Sequence, residues 1–331
     1  MTITDPILTV NNATLTSNGT GLWMVTQQAL VSRDSDYSNN ATWGLRPFGT
    51  SRVEYCTINS NAVGGLWLNQ SGLSDLTVSR LTLANNTQYG VYAEASGLAF
   101  DSSNIGDWAI SGSQIGVAAI LSDVSFQNVT MSGGSTAAVQ LSQSTVNAIN
   151  TTFSASGFGL AVDTSSVDLT SCTFSGNSVG LYANQNSLLS VTNSTFSGNS
   201  LWGASVTPSG IGGETNTFSG CASYGNAGGM TLINASDGDV LLRDATVIRD
   251  NTAAGLHFEN CILTVNDQAG GANWSTLRNL YGISCNQSTL AISDVTVVDC
   301  TSYGIRCQDS TVILAGCSVT GEFGVYAETI P

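Results

Sequence analysis

The sequence is short of charge, and the positive charge that it carries is all arginine. Its 331 residues include eight Lys or Arg, every one of them Arg, and the net charge is −15. Charged residues make up 9% of the chain, against about 25% in an ordinary soluble domain. Since phosphate contacts require clustered Lys and Arg, the composition excludes nucleic-acid binding and disfavours anionic membrane surfaces.

Long hydrophobic runs and metal-ligand spacings are also missing. No stretch reaches the roughly 18 apolar residues that a membrane-spanning helix needs, so no membrane insertion is predicted. The eight cysteines include no Cys-x-x-Cys pair, and the single histidine is His257. Structural zinc sites are built from closely spaced Cys and His, so the sequence predicts no metal site and no cofactor.

The sequence is rich in repetition instead. The hexapeptide TFSGNS occupies Thr173–Ser178 and returns at Thr195–Ser200, 22 residues later. A small residue before an apolar-x-apolar triplet recurs about every 23 residues, at the fourteen anchors Gly21, Gly44, Gly65, Gly90, Ala109, Ala138, Gly159, Gly180, Gly203, Gly229, Gly255, Gly282, Gly304 and Gly324. A period of this length indicates stacked repeats. The longest interval, 109 to 138, holds an extra segment that we expect to bulge outward as a turn.

Each repeat contains short runs with the alternation of β-strands. Apolar and polar residues alternate in LLSVTNSTF (188–196) and TLAISDVTV (289–297), and β-branched residues are frequent there, which is typical of strands. The residue after each anchor is almost always Leu, Ile or Val and should point inward, whereas the next one varies freely and should point outward. Two or three strands in ~23 residues correspond to one coil of a parallel β-helix, which must stack on its neighbours to bury its inward face.

Asparagine recurs at one turn of the repeat. The positions concerned are Asn18, Asn61, Asn86, Asn177, Asn199 and Asn251. Asparagine tolerates the left-handed backbone conformation that ends strands, and amides stacked at the ~4.8 Å strand spacing can hydrogen-bond as a ladder. The TFSGNS motif is therefore interpreted as structural.

With these coils, asparagine-bearing turns and glycines before inward triplets, the sequence resembles the right-handed parallel β-helix repeat proteins. That superfamily includes pectate-lyase-like enzymes, phage tailspikes, surface adhesins and autotransporter passengers. The FSGN motifs at Phe174–Asn177 and Phe196–Asn199, and the pairs Gly64–Gly65 and Gly228–Gly229, are also similar to repeats of polymorphic outer-membrane proteins.

The resemblance covers residues 15–328 and implies an all-β fold. We expect a single right-handed parallel β-helix (β-solenoid) of about 14 coils, with about 23 residues per coil. An N-terminal strand and first coil should occupy residues 1–20, and one continuous repeat domain residues 21–331. This fold hosts many unrelated activities.

One outward column is aromatic. Trp23, Arg46, Trp67 and Tyr92 hold the same outward position in the first four coils, and strand spacing would make them a stripe about 15 Å long. Exposed aromatic residues in a row suit stacking on sugar rings or a protein interface, and coverage by a loop is the alternative. A second aromatic set directly before the anchors is expected to pack at the corner of the coil: Trp43, Tyr89, Trp108, Phe158, Trp202, Tyr281, Tyr303 and Phe323.

Cys285 and Cys307 both follow their anchors by three residues, so they should point inward in adjacent coils. Their Cα atoms would lie ~4.8 Å apart, within the range of a disulfide, although in-register Cβ atoms are further apart than a disulfide prefers. A disulfide and a pair of stacked thiols both stay open. The chain also holds eleven Asn-x-Ser/Thr sequons, which leaves glycosylation open in an exported protein.

Members of the superfamily that cut polysaccharides need carboxylates and a basic group, and hydrolases need two carboxylates flanking the bond. The most acidic segments here are Asp34–Asp36 and Asp237–Asp239. Both have the polar composition of turns between strands. His257 should face solvent and has no carboxylate partner visible in the sequence. We therefore predict no catalytic residue and a protein that is not an enzyme.

The low charge and the Ser/Thr/Asn-rich composition suit an extracellular or cell-surface location. We expect a structural or adhesive protein, an elongated stalk whose partners are copies of itself stacked end to end into a filament, or a cell-surface ligand. The alternative is a module that binds or degrades polysaccharide through the Trp23–Tyr92 stripe. A phage or viral fibre segment is the second alternative.

Overall fold

The computed structural model describes residues 7–25, 29–47, 51–101, 109–184, 186–208, 215–236, 240–265 and 274–329. For residues 29, 70–79, 101, 109 and 265 it describes the backbone alone. Trp108 and Asp237–Asp239, singled out above, lie outside the described residues. The chain divides into two compact units, Met1–Leu160 and Ala161–Pro331, called the first and the second unit below. The division at residue 20 stays a prediction.

The described residues form 35 β-strands and no helix. The first sixteen strands are β1 (Ile7–Asn11), β2 (Leu22–Trp23), β3 (Ala29–Arg33), β4 (Trp43–Arg46), β5 (Ser51–Glu54), β6 (Gly64–Ser79), β7 (Thr82–Ala84), β8 (Tyr89–Asp101), β9 (Ala109–Ser111), β10 (Ile115–Ile120), β11 (Asp123–Gln127), β12 (Thr130–Ser132), β13 (Ala137–Ser142), β14 (Thr145–Ile149), β15 (Thr152–Ser154) and β16 (Phe158–Asp163).

The later strands are β17 (Ser166–Thr170), β18 (Thr173–Ser175), β19 (Val179–Ala183), β20 (Leu188–Thr192), β21 (Thr195–Ser197), β22 (Trp202–Val206), β23 (Asn216–Ser219), β24 (Ala222–Tyr224), β25 (Gly228–Ile233), β26 (Val240–Arg243), β27 (Val247–Arg249), β28 (Ala254–Glu259), β29 (Ile262–Val265), β30 (Ser275–Leu277), β31 (Tyr281–Asn286), β32 (Thr289–Ser293), β33 (Thr296–Gln308), β34 (Thr311–Ala315) and β35 (Ser318–Glu328).

A typical turn of the chain contributes three strands. In the second unit these are the short strand β18, the strand β19 that contains the anchor Gly180, and β20. Each pairs in parallel with its equivalent one turn later, so that Thr173 lies beside Thr195 and Ser190 beside Thr217. The fold is a parallel β-solenoid of about 13 turns with ~22 residues per turn, which confirms the predicted fold class. Strands such as β19 are called anchor strands below.

Ala109 is not an anchor. It belongs to β9, which pairs with the short strand β7, and the anchor of this turn is Gly116, since β10 places Val117 beside Val91. The segment that was expected to bulge between residues 109 and 138 instead contains the regular strands β11 and β12. The prediction was wrong because a short strand with one inward apolar residue has the same local pattern as an anchor strand.

Inward side chains of successive turns stack into columns. The rings of Phe174 and Phe196 lie 4.9 Å apart, and those of Phe100 and Phe126 lie 5.0 Å apart. All four are buried, as is Leu181 directly after its anchor. Burying one such side chain contributes roughly 1.5–3 kcal/mol, which a single isolated turn could not obtain.

The asparagines of the first unit bond from turn to turn. Asn40 Nδ2 donates to Asn61 Oδ1 at 3.1 Å, and Asn61 Nδ2 donates to Asn86 Oδ1 at 2.9 Å. Asn18 is exposed and takes part only through its backbone N–H, which donates to Asn40 Oδ1 at 3.0 Å. Asn40 is a rung that the sequence analysis did not single out.

The second unit holds a longer ladder. Its side-chain bonds, of 2.8–3.2 Å, join in order Asn177, Asn199, Asn226, Asn251 and Asn279. Two of these rungs, Asn226 and Asn279, were also missed. Each acceptor oxygen takes a second bond from the backbone N–H of the rung before it, as Asn226 Oδ1 does from Asn199. The amides are buried and their hydrogen bonds are satisfied, as buried polar groups require.

The residue before each rung, and not the rung itself, adopts the left-handed conformation. Gly176 has φ 65°, Gly198 has φ 62° and Ser60 has φ 54°, whereas the rungs that follow them have negative φ. The reason given for asparagine at this turn was therefore wrong: the glycine of FSGN supplies the left-handed backbone, and the asparagine supplies the amide.

A different set of asparagines adopts the left-handed backbone conformation. They stand at the corner before the short strands, with φ between 49° and 56°: Asn12, Asn128, Asn150, Asn193 and Asn234. Each is followed by a small or apolar inward residue and then by the Thr or Ser that begins the next strand or bridge. This backbone pattern alone produces the sequence Asn-x-Thr/Ser, so five of the eleven sequons follow from the fold.

Candidate functional site

The anchor strands of the first unit bring the predicted stripe together as a stack. Trp23 lies beside Arg46, and Trp67 beside Tyr92. The Cζ atom of Arg46 is 4.5 Å from the centroid of the Trp23 ring and 3.3 Å from that of Trp67. The rings of Trp67 and Tyr92 are 6.2 Å apart and meet edge to face. Trp23 is 58% exposed and the others are half-buried, so the stack forms part of the surface.

Trp43, from the second aromatic set, extends this stack sideways. Its indole lies over Gly64 of the next turn, where a Cβ atom would come within 2.2 Å of Trp43 Cζ3. The ring centroid is 5.2 Å from that of Trp67 and 6.1 Å from that of Tyr89. Trp43 is buried, as expected for a corner residue, but it also supports the stripe from behind. The Gly64–Gly65 pair was the sequence signal that could have revealed this contact.

A cleft of about 240 Å³ opens along the stack. Its lining residues are Trp23, Met24, Val25, Arg46, Pro47, Trp67 and Asn69. Arg46 is the only charged residue among them. The cleft, called the Trp–Arg cleft below, therefore combines two aromatic faces, one positive charge and one amide.

Arg46 has no carboxylate partner in the described part of the chain. Six of the eight arginines form ion pairs there: Arg33, Arg52, Arg243, Arg249, Arg278 and Arg306. Arg46 instead has an indole against each side, and burial lowers the pKa of its guanidinium. Stacking occupies the faces of a guanidinium and leaves its N–H edge free for a planar anion.

A second unused donor lies in the same stack. The indole N–H of Trp67 is buried and has no hydrogen-bond partner in the structure. A buried donor without an acceptor costs about 1–3 kcal/mol, and such groups in native proteins call for an explanation.

His257 lies on the anchor strands of the second unit and is half-buried rather than fully solvated. Its ring stacks on Trp202 at 5.8 Å, with 21° between the planes. Burial lowers the pKa of His257, the charge of Glu259 raises it and that of Arg306 lowers it. The imidazole therefore has a carboxylate neighbour, two residues along the same strand, that the sequence analysis did not credit to it.

The acidic segment at Asp34–Asp36 is a turn, in line with its interpretation. Asp34 has φ 49°, and Asp36 Oδ1 accepts the backbone N–H of Ser38 at 3.0 Å. The nearby acid that sequence reasoning missed is Glu54, which is buried and pairs with Arg33 at 2.6 Å and with Arg52. The Glu54 carboxylate therefore links neighbouring turns through two arginines.

Cys285 and Cys307 lie side by side in adjacent turns, and both are buried free thiols. A hydrogen bond between the two thiols, together with burial, raises the pKa of Cys285, and the same bond lowers that of Cys307. Of the two arrangements left open by the sequence, the structure contains the stacked thiols.

The described residues offer neither a metal-binding cluster nor a membrane-spanning helix. They include no group of three or more His, Cys, Asp or Glu side chains that could hold a metal ion. They also include no helix of the length and hydropathy that crosses a bilayer.

Several solved structures share the arrangement of coils. The periplasmic alginate epimerase AlgG matches with a TM-score of 0.41 and 10% identity, over 92% of this chain and 77% of that one. The A-module of the Azotobacter vinelandii mannuronan C-5 epimerase AlgE4 matches with a TM-score of 0.38 and 14% identity, over 92% and 91%. The Yersinia enterocolitica family 28 exopolygalacturonase has a TM-score of 0.29 and 10% identity, over 98% and 71%.

These matches correct one expectation. The absence of catalytic motifs had suggested a protein that is not an enzyme, and that expectation is contradicted, since the structures to which this chain is similar include these two epimerases and the exopolygalacturonase. Their low identity makes this a likeness of fold, which assigns no activity to the chain. No curated protein sequence matches it. The model of the right-handed β-helix region matches residues 3–120 and 110–281, more than half of the chain, and the chain therefore belongs to the right-handed β-helix family.

Proposed function

We propose that the chain recognises an acidic polysaccharide outside the cytoplasm, in the Trp–Arg cleft of the first unit. The observation that carries the proposal is Arg46, a half-buried guanidinium stacked between two indoles and without a carboxylate partner in the described part of the chain. This proposal adopts polysaccharide recognition in place of the adhesive stalk.

The aromatic faces support a sugar as the ligand. A pyranose ring has an apolar C–H face and a polar edge, and an aromatic side chain offers the matching apolar face beside polar groups. Trp23 is 58% exposed at one end of the stack, so one of its faces is open to a ring. The stack crosses successive turns at the ~4.8 Å strand spacing, which suits a chain of sugars laid across the strands.

The free donors support an acidic sugar. The N–H edge of Arg46 can bind a carboxylate with two parallel hydrogen bonds, and charge-assisted bonds of this kind contribute about 1.5–3 kcal/mol. The net charge of −15 gives no long-range attraction for a polyanion. Recognition would therefore depend on the local charge of the cleft, whose only charged lining residue is positive.

The location follows the same composition argument as before. A surface with little charge and much Ser, Thr and Asn suits an exported protein, and a polysaccharide large enough to lie across several turns is met outside the cytoplasm. Detecting the native protein in an extracellular or periplasmic fraction tests this part separately.

The test compares two forms of the same sugar chain. Hexasaccharides of uronic acids, and the same chains after reduction of their carboxyl groups, are titrated into the full chain by calorimetry. We expect the acidic form to bind, and Arg46→Ala to weaken its binding about tenfold or more, since one charge-assisted bidentate contact is lost. Carboxyl reduction should weaken binding to the wild type and have little effect on Arg46→Ala.

The matched control is Arg249→Ala. Arg249 also stacks on an aromatic ring, with Cζ 4.8 Å from the centroid of Tyr224, but it is already paired with Asp250. Its loss should leave the affinity unchanged. Equal binding of acidic and reduced chains, or equal losses in the two variants, would show that Arg46 does not recognise a carboxylate.

A further inference from the structure

The anchor strands of the second unit present three outward columns of a different kind. In these strands, β28, β31 and β33, the first and middle columns are three residues apart, about 10 Å along the strand, and the middle and outer columns are two residues apart, about 7 Å. The first column holds Tyr281 and Tyr303, the middle one His257, Ser284 and Arg306, and the outer one Glu259, Asn286 and Gln308. These eight residues are called the second-unit face.

The first column is an aromatic edge. The rings of Tyr281 and Tyr303 are 5.7 Å apart and inclined by 21°, and the stack continues to Phe323 and Tyr326, 5.4 and 4.7 Å from the Tyr303 ring. Tyr281 and Tyr303 are half-buried. Part of each side chain is therefore exposed to solvent, and its phenolic hydroxyl group can donate and accept a hydrogen bond.

The middle column carries charge that is already neutralised. Arg306 Nη2 lies 2.8 Å from Glu328 Oε1 in the next turn, and the Arg306 guanidinium sits 5.6 Å from the centroid of Tyr281. Unlike Arg46, Arg306 thus has its anion within the protein. The other charged group of the face, Glu259, is negative, so an anionic ligand has no free cation to bind here.

The rest of the face is a set of fixed hydrogen-bonding groups. Trp202 lies over Gly228, where a Cβ atom would come within 2.1 Å of its ring, and it holds the imidazole of His257 by stacking at 5.8 Å. A neutral imidazole offers one donor and one acceptor, and the amides of Asn286 and Gln308 offer both. These side chains are half-buried, so they reach solvent from a rigid sheet.

We propose that the second-unit face is a second saccharide-binding site, one that takes a neutral, hydroxyl-bearing sugar chain. The exposed parts of the stacked tyrosines provide an apolar edge along which the C–H face of a sugar ring can lie. The middle and outer columns provide donors and acceptors at a distance where they can meet its hydroxyl groups. The proposal does not depend on the Trp–Arg cleft, since the two sites share no residue and differ in the charge they offer.

The experiment uses the full chain with Arg46→Ala as background, which removes the cation of the cleft. The probes are neutral β-1,4-linked hexasaccharides of glucose, mannose and galactose, titrated by calorimetry at about 0.05 and 0.5 M salt. We expect at least one to bind, with an affinity that salt changes less than twofold. Tyr303→Ala should weaken that binding about tenfold, as for the loss of one aromatic contact, and Tyr303→Phe should restore most of it.

Tyr224→Ala is the matched control, because Tyr224 is also a half-buried tyrosine but lies on a short strand, where Arg249 packs against its ring. It should bind as the background does. The proposal is overturned if no probe binds, if Tyr224→Ala loses as much affinity as Tyr303→Ala, or if binding falls steeply with salt. A loss in Tyr303→Ala that is accompanied by a changed circular dichroism spectrum and is not restored by Tyr303→Phe also overturns it.

Discussion

The two units place a tryptophan in the same way and surround it differently. Trp43 in the first unit and Trp202 in the second each lie over a glycine of the next turn, with ring atoms within about 2.2 Å of where a Cβ would stand. From there the first indole reaches Trp67 at 5.2 Å, and the second reaches His257 at 5.8 Å. The backbone arrangement is shared, while the outward side chains that it supports are not.

The two surfaces differ in charge. Arg46 of the first unit is stacked and has no ion-pair partner in the described part of the chain, whereas Arg306 of the second unit is paired with Glu328 at 2.8 Å. Under the two proposals above, the pairing of a single arginine distinguishes a surface that suits an acidic sugar from one that suits a neutral sugar.

The largest effect should come from filling the space under the indoles. Gly64→Ala and Gly228→Ala each force a ring to move, and overpacking of this kind costs about 1–3 kcal/mol. We expect each variant to melt several degrees below the wild type. Gly64→Ala should also weaken ligand binding in the Trp–Arg cleft, because Trp43 supports Trp67, and Gly228→Ala should leave the cleft unchanged.

Gly19→Ala is the control, since nothing lies within 4 Å of a Cβ at that position. Its melting temperature should stay within about a degree of the wild type, measured by circular dichroism. A similar loss in all three variants would mean that glycine is needed for its backbone and not for the space above it.

The sequence was sufficient to predict the features that depend on the period of the repeat. The spacing of TFSGNS and the alternation around Phe174 and Phe196 predicted parallel coils, because an inward column needs one apolar residue per turn at a constant interval. The anchor at residue 109 was misplaced because Ala109–Ser111 (AIS) and Gly116–Ala118 (GVA) share the same pattern of a small residue followed by an apolar one. Only the pairing of β10 with its neighbours separates them.

The site depended on contacts between turns that no local pattern contains. Gly64 makes room for a ring that lies 21 residues earlier in the chain, and Glu54 finds Arg33 at the same distance. The sequence predicted that Arg46 lies in the stripe, but it did not predict that Arg46 lacks a carboxylate partner among the described residues. These features belong to pairs of turns, so alignment of the repeats by their turns could have suggested them.

A smaller effect, on ligand affinity, should come from freeing Arg306 of the second unit from its carboxylate partner. Glu328→Gln removes the partner of Arg306 and keeps the size of the side chain. We expect the second-unit face of this variant to gain affinity for uronate hexasaccharides by about two- to fivefold, the size of one half-exposed ion pair. Calorimetry on the Arg46→Ala background would detect the gain without a contribution from the cleft.

Glu322→Gln removes the same charge from an exposed position with no ion pair in the described part of the chain. It serves as the control for the general loss of negative charge. An equal gain in both variants would mean that net charge, and not the pairing of Arg306, sets the preference of this face.

The smallest effect should come from His257, the single histidine of the sequence. Burial lowers the pKa of the imidazole below its ordinary value of 6.5, with Glu259 opposing and Arg306 reinforcing the shift. Between the two values the unfolded chain binds more protons than the folded one. The stability from the neutral imidazole is therefore present above pH ~6.5 and is lost as the pH falls toward the folded-state pKa.

His257→Gln should remove this part of the pH dependence between pH 7.5 and 5.5, a change in melting temperature of about 2 °C or less. If the wild type and the variant lose stability in parallel over that range, the imidazole is not held neutral by its stack on Trp202, and the second-unit face would carry a positive charge at mildly acidic pH.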